Sequence, residues 1–214
     1  MSTPSPSPHP DVLIPLPPNA PHVRRSAFAR WIGRSVLRLG GWHMVGEFPD
    51  VARLVVIAAP HTSNWDAVWG LAAKLGLGLE LRVLGKQELF VGPLGWLLHR
   101  LGVIPIDRDA SHGVVRQAAQ LMRDSERIWF TLAPEGTRKP VTRWKTGFWK
   151  IAKTAGVPIL PMYFHYPDRI LGIGPLFHPG DDMDADIAAI RAWYAPWTGR
   201  HERGFGPARD AGVV

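Results

Sequence analysis

The chain has no cysteine among its 214 residues, which excludes disulfides, thiolate metal sites and any intermediate carried on a cysteine. It also lacks an apolar run approaching the ~18 residues of a bilayer-spanning helix. The longest candidate, LFVGPLGWLL at 89–98, is short and broken by glycine and proline. No G-x-S-x-G elbow occurs, so a serine nucleophile has no recognisable seat, and Ser63 reads as a helix cap. Acid is the scarcer charge: 18 Asp and Glu stand against 25 Lys and Arg, for a formal net charge of +7. That balance favours anionic partners, whether a membrane face, nucleic acid or a phosphorylated molecule.

What is present suits one domain, since 46% of the residues are hydrophobic and the length matches a single core. Residues 1–21 hold eight prolines and neither a basic start nor an apolar block. They are expected to form a disordered leader rather than a signal peptide, and 198–214 a flexible tail, leaving 22–197 as the folded domain. Short runs rich in Val, Ile and Leu predict buried strands at 53–58, 79–84, 102–106, 127–133 and 157–163, with a further strand at 169–177. Helical spacing predicts helices at 66–75, 93–101, 111–123 and 146–155, with Ser111 at an N-cap position. This alternation argues a mixed, largely parallel α/β sheet flanked by helices. In such sheets, sites form beyond the carboxyl ends of the strands.

Three polar clusters follow predicted strands. HTSNWD (61–66) sets His61 five residues before Asp66, so the carboxylate can fold back onto the imidazole, fix its tautomer and steady its cation. GVIPIDR (102–108) ends on Arg108, whose guanidinium can grip a phosphate with two prongs. APEGTRK (133–139) places Gly136 at a tight turn that brings Arg138 and Lys139 toward the same edge, followed by Arg143 and Lys145. Taken singly, each could be a surface ion pair or a solvated basic loop. The acidic GDDMDAD (180–186) precedes a helical stretch and reads as N-terminal charge placement rather than a metal loop.

In order and spacing, four blocks together resemble the 1-acylglycerol-3-phosphate acyltransferase family: HTSNWD, GVIPIDR, PEGTR (134–138) and GVPILPM (156–162). The resemblance spans roughly 51–163. It implies a glycerolipid acyltransferase-like fold and transfer of a fatty acyl group from a thioester, on coenzyme A or acyl carrier protein, to the hydroxyl of a lysophospholipid. His61 would be the general base and Asp66 its orienter. Arg108, Glu135, Gly136, Thr137 and Arg138 would bind the acceptor, with Lys145 a further phosphate contact. No cofactor beyond the co-substrate and no metal is implied. Departures from the family pattern at Pro105, Ala133 and Lys139 bear on the acceptor. Another lysolipid, such as a lyso-aminolipid, therefore stays an alternative, as does acyl-thioester hydrolysis.

The stretch 24–42 places Phe28, Ile32, Val36 and Leu39 on one helical face and Arg30, Arg34 and Arg38 on another, with Trp31 available at an interface. A basic amphipathic helix of this kind can lie on an anionic membrane or pack onto the sheet. The segment 89–101, with Trp96, is a second candidate for shallow insertion. No nucleic-acid-binding motif is found. The expectation is an enzyme held peripherally at the cytoplasmic face of a membrane.

Overall fold

The computed structural model describes residues 11–23, 25–106, 111–137 and 141–201. Its elements run α1 (Ala27–Gly40), β1 (His43–Val45), β2 (Arg53–Ala59), α2 (Asn64–Leu77), β3 (Leu81–Lys86), α3 (Gly92–Arg100), β4 (Val103–Ile106), α4 (Ser111–Asp124), β5 (Ile128–Leu132), α5 (Gly147–Ala155), β6 (Ile159–His165), β7 (Ile170–Ile173) and α6 (Met183–Tyr194). Among the described residues the strands form one seven-stranded sheet in the order β1-β7-β6-β2-β5-β3-β4. Every pairing is parallel except β6 with β7, so the sheet is mixed and largely parallel as expected.

The central strand β2, RLVVIAA, shows why both faces are covered. A parallel strand with helices on each side reads as a continuous apolar run, and its side chains alternate between the faces. Val55, Ile57 and Ala59 join a cluster with Met122 of α4, Phe148 and Ile151 of α5, and Ile190 and Tyr194 of α6. Leu54 and Val56 join the opposite cluster, with Leu37 of α1 and Ala72 and Ala73 of α2. The Tyr194 hydroxyl lies 2.9 Å from the carbonyl oxygens of both Ile57 and Met162. It thereby ties α6 to β2 and β6, the strands that carry the site.

Two expectations need correction. Residues 11–21 do not behave as a disordered leader: Leu13, Ile14 and Ala20 are buried in the α1–α2 face. Asp11 pairs with Arg34, the Met44 amide donates to Val12 O at 2.9 Å, and Arg127 donates to Pro18 O. The prolines masked a short apolar anchor, and by restricting the unfolded chain they lower the entropic cost of docking it. At the other end, Thr198 to His201 fold back onto the sheet edge instead of forming a free tail. The Thr198 amide donates to His165 Nδ1 at 3.1 Å, and the Tyr166 amide to Thr198 O at 3.0 Å.

Strand β1 was not foreseen, because three residues carry too little periodicity to register. The helix expected from 24–42 forms as α1, but its stripe divides. Gly33 and Leu37 are buried and Val36 packs on the core, whereas Phe28, Trp31, Ile32 and Leu39 remain exposed.

Candidate active site

β2, β5 and β6 run parallel, so the residues that follow them emerge at one edge of the sheet. After β2 comes a cis Ala59–Pro60 bond and then His61. Ser63 caps α2, accepting from the Trp65 amide at 3.2 Å, as its place before the helix predicts. Asp66 completes the capping box from the third helical position, with its side chain folded back over the helix start.

That geometry gives the Asp66 carboxylate more than a cap. Oδ2 accepts from the Thr62 and Ser63 amides at 2.8 Å each, and His61 Nδ1 lies 3.2 Å from the same oxygen. Oδ1 accepts from the Tyr166 hydroxyl. The Asp66 side chain is 0% exposed. Burial alone would raise its pKa, but the bonds from His61, Tyr166 and the Ser63 amide outweigh it and hold the carboxyl below its ordinary value. Burial, reinforced by the bond to Asp66, pushes the Tyr166 phenol up, so it stays protonated as a donor. His61 turns Nδ1 toward Asp66, which leaves Nε2 on the other side of the ring, and the ring is 28% exposed.

A second carboxylate holds the His61 backbone. Glu135, just after β5, is buried, and both its oxygens lie 3.1 Å from the His61 amide that donates to them. Gly136 makes the following turn at φ +64°; a Cβ there would stand 2.7 Å from Lys145 Cε, so Lys145 lies across the turn. Thr137 is exposed at the same turn. The structure therefore gathers His61, Asp66, Glu135, Gly136, Thr137 and Lys145 at one edge. Arg108, Arg138 and Lys139 lie outside the described residues.

The chain matches the acyltransferase family over residues 46–165, more than half its length and inclusive of every strand from β2 to β6. It belongs to the acyltransferase family. It is 28% identical to the 1-acyl-sn-glycerol-3-phosphate acyltransferase of Pseudomonas aeruginosa, an alignment covering 79% of this chain and 72% of the relative. It is also 28% identical to the enzyme of that name from Streptococcus pneumoniae, with 62% of this chain and 49% of the relative covered. The chain thus spans about half the length of that second relative. The crystal structure of the 1-acyl-sn-glycerophosphate acyltransferase of Thermotoga maritima superposes with a TM-score of 0.54 at 20% identity over 80% of each chain, a likeness of fold.

The sequence reading of this acyltransferase missed Tyr166. The signal was available only through topology: Tyr166 follows β6, β6 pairs with β2 in parallel, and the residue past its end must therefore stand beside the loop past β2. The acids of 180–186 behave as expected. Asp182 caps α6, Asp186 accepts from Trp149 Nε1 at 2.8 Å, and Asp181 pairs with Lys153.

Proposed function

We propose that this acyltransferase moves a fatty acyl group from an acyl thioester, on coenzyme A or acyl carrier protein, to the free hydroxyl of 1-acylglycerol-3-phosphate in phospholipid biosynthesis. The observation that carries the reading is the buried, fully hydrogen-bonded Asp66 at 3.2 Å from His61 Nδ1. The names of the P. aeruginosa and S. pneumoniae relatives support the acceptor. In this mechanism His61 Nε2 takes the proton of the acceptor hydroxyl as its oxygen attacks the thioester carbonyl, forming the C–O bond and a tetrahedral oxyanion. Asp66 stabilises the imidazolium. Collapse of the oxyanion breaks the C–S bond, and the imidazolium returns its proton to the leaving thiolate. A placed base of this kind contributes ~100- to 10,000-fold.

Tyr166 and Glu135 act as positioning residues, the first through Asp66 and the second through the His61 amide. Gly136, Thr137 and Lys145 are assigned to the acceptor's phosphate side, together with Arg108 and Arg138 on the sequence pattern alone. Among the described residues no helix is long and apolar enough to cross a membrane. Contact with the lipid is assigned to α1, where Phe28, Trp31, Ile32 and Leu39 are exposed, and to Val91, Leu94 and Trp96 around α3. These surfaces suit peripheral binding to an anionic cytoplasmic leaflet.

The test is transfer from labelled acyl-coenzyme A and acyl carrier protein thioesters to a panel of lysolipids, with a control lacking acceptor. Product that requires lysophosphatidate supports the reading. Equal thioester loss without acceptor would replace it with hydrolysis, and preference for another lysolipid would replace the headgroup.

A further inference from the structure

Beside the dyad, on the β6 side, an open groove of about 450 Å3 is lined by Trp42, Trp65, Trp69, Tyr166, Arg169 and Arg200, together with Gly40. Its wall is shared with the reaction centre, since Trp65 precedes Asp66 in the chain and the Tyr166 hydroxyl donates to Asp66 Oδ1. Trp65 stacks on Trp69 with ring centroids 5.6 Å apart, and Trp69 on Trp42 at 5.2 Å. Tyr166 meets Trp42 edge-on at 4.8 Å. Trp65 nonetheless stays 46% exposed.

The cations are placed with some effort. Arg200, in the chain segment that folds back after α6, holds its guanidinium 5.4 Å from the Trp65 ring centroid. The His201 amide anchors that segment to Thr62 Oγ1 of the dyad loop at 3.5 Å. Arg169 sits at φ +54°, a left-handed conformation in which glycine or asparagine is at home and arginine is not. One of its guanidinium N–H groups donates to Gly40 O at 3.2 Å, which leaves four of the side chain's five donors for other partners. Among the described residues no acidic side chain lines the groove.

This composition selects its ligand. An aliphatic chain would make no use of two guanidinium groups, and a bare phosphate would make no use of stacked indoles. A planar base bearing phosphates uses both, through stacking and paired N–H donors. The reading of the dyad as an acyl-transfer centre, on which this step rests, requires two substrates. The acceptor-side residues follow β5 and the groove follows β6, on opposite sides of β2. We propose that the groove binds the phosphorylated adenosine end of an acyl-coenzyme A donor, a group that a carrier-protein thioester does not possess.

The test is titration of the full chain with adenosine 3′,5′-bisphosphate, read by quenching of tryptophan fluorescence and by calorimetry. Parallel arms use adenosine monophosphate, inorganic phosphate and a short-chain fatty acid. The expected result is saturable binding of the bisphosphate, weaker binding of the monophosphate, and a loss of about tenfold in affinity for either Arg200→Gln or Trp65→Leu. Arg200 is exposed, so its variant tests the groove without touching the core. Absence of bisphosphate binding, binding that both variants leave unchanged, phosphate binding as tightly as the nucleotide, or saturation by the fatty acid alone would each overturn the proposal. None of these readouts requires turnover. Transfer from a carrier-protein thioester together with no nucleotide binding removes the groove assignment alone, whereas nucleotide binding with no transfer from any donor removes the acyl-transfer reading.

Discussion

Asp66 closes a helix cap and meets His61 with one carboxylate, and the structural duty separates experimentally from the proposed orienting of a base. His61→Ala removes the proton acceptor while Asp66 keeps its backbone partners. Transfer should fall by about 100-fold or more with the melting temperature little changed, as initial rates and thermal unfolding would show. Tyr166→Phe takes away the donor to Oδ1 and leaves one oxygen of a buried carboxylate unsatisfied, at a cost of about 1–3 kcal/mol in stability. Its catalytic signature should be a lower kcat at unchanged KM for the acceptor. A loss confined to stability would make Tyr166 merely structural.

The depressed pKa of Asp66 has a thermodynamic counterpart with a definite sign. Its folded value lies below the ordinary 3.8, so the unfolded chain takes up the proton first. The stabilisation is complete above 3.8 and is lost as the pH falls through the lower, folded value. Denaturant midpoints measured from pH 6 downward should drop within that window, and Asp66→Asn should be less stable at neutral pH with a shallower acid dependence.

At the scale of elements, α1 and α2 pack backbone against backbone. A Cβ on Gly33 would stand 2.4 Å from the carbonyl oxygen of Ala72 and 2.5 Å from the amide nitrogen of Gly76. Gly33→Ala must separate the two helices. It should cost about 1–3 kcal/mol by thermal unfolding, as overpacking does, despite the better helix propensity of alanine. The buried strands and helices of this face could be read from the sequence because each apolar run is bounded by charge, glycine or proline. The position of HTSNWD past the end of β2 followed from the same reading. Strand order could not be read, and with it Tyr166 and the groove stayed hidden, since residues 100 positions apart from Asp66 meet it only through β6–β2 pairing. The docking of Leu13 and Ile14 was hidden for a different reason: proline content averaged over 1–21 outweighed two apolar side chains that find a pocket.

At the scale of the whole molecule, the excess of basic residues and the exposed apolar side chains of α1 point to the same kind of surface. Replacing Phe28, Trp31 and Leu39 together by serine should abolish co-sedimentation with vesicles containing anionic lipid, while leaving turnover of a water-soluble short-chain acceptor intact. Binding of the unmodified chain should weaken as salt is raised, since the charges act through a screened field. The proposed membrane contact and the proposed reaction centre thus fall on different parts of the chain. The dyad stands at the carboxyl ends of the parallel strands, where this class of sheet forms its sites.

The measurement that bears most directly on this assignment is acyl transfer to lysophosphatidate by the purified chain, run beside His61→Ala with and without acceptor. Product should depend on the acceptor and disappear in the variant while the variant remains folded. Thioester consumption that ignores the acceptor, or transfer that survives loss of the imidazole, would contradict it.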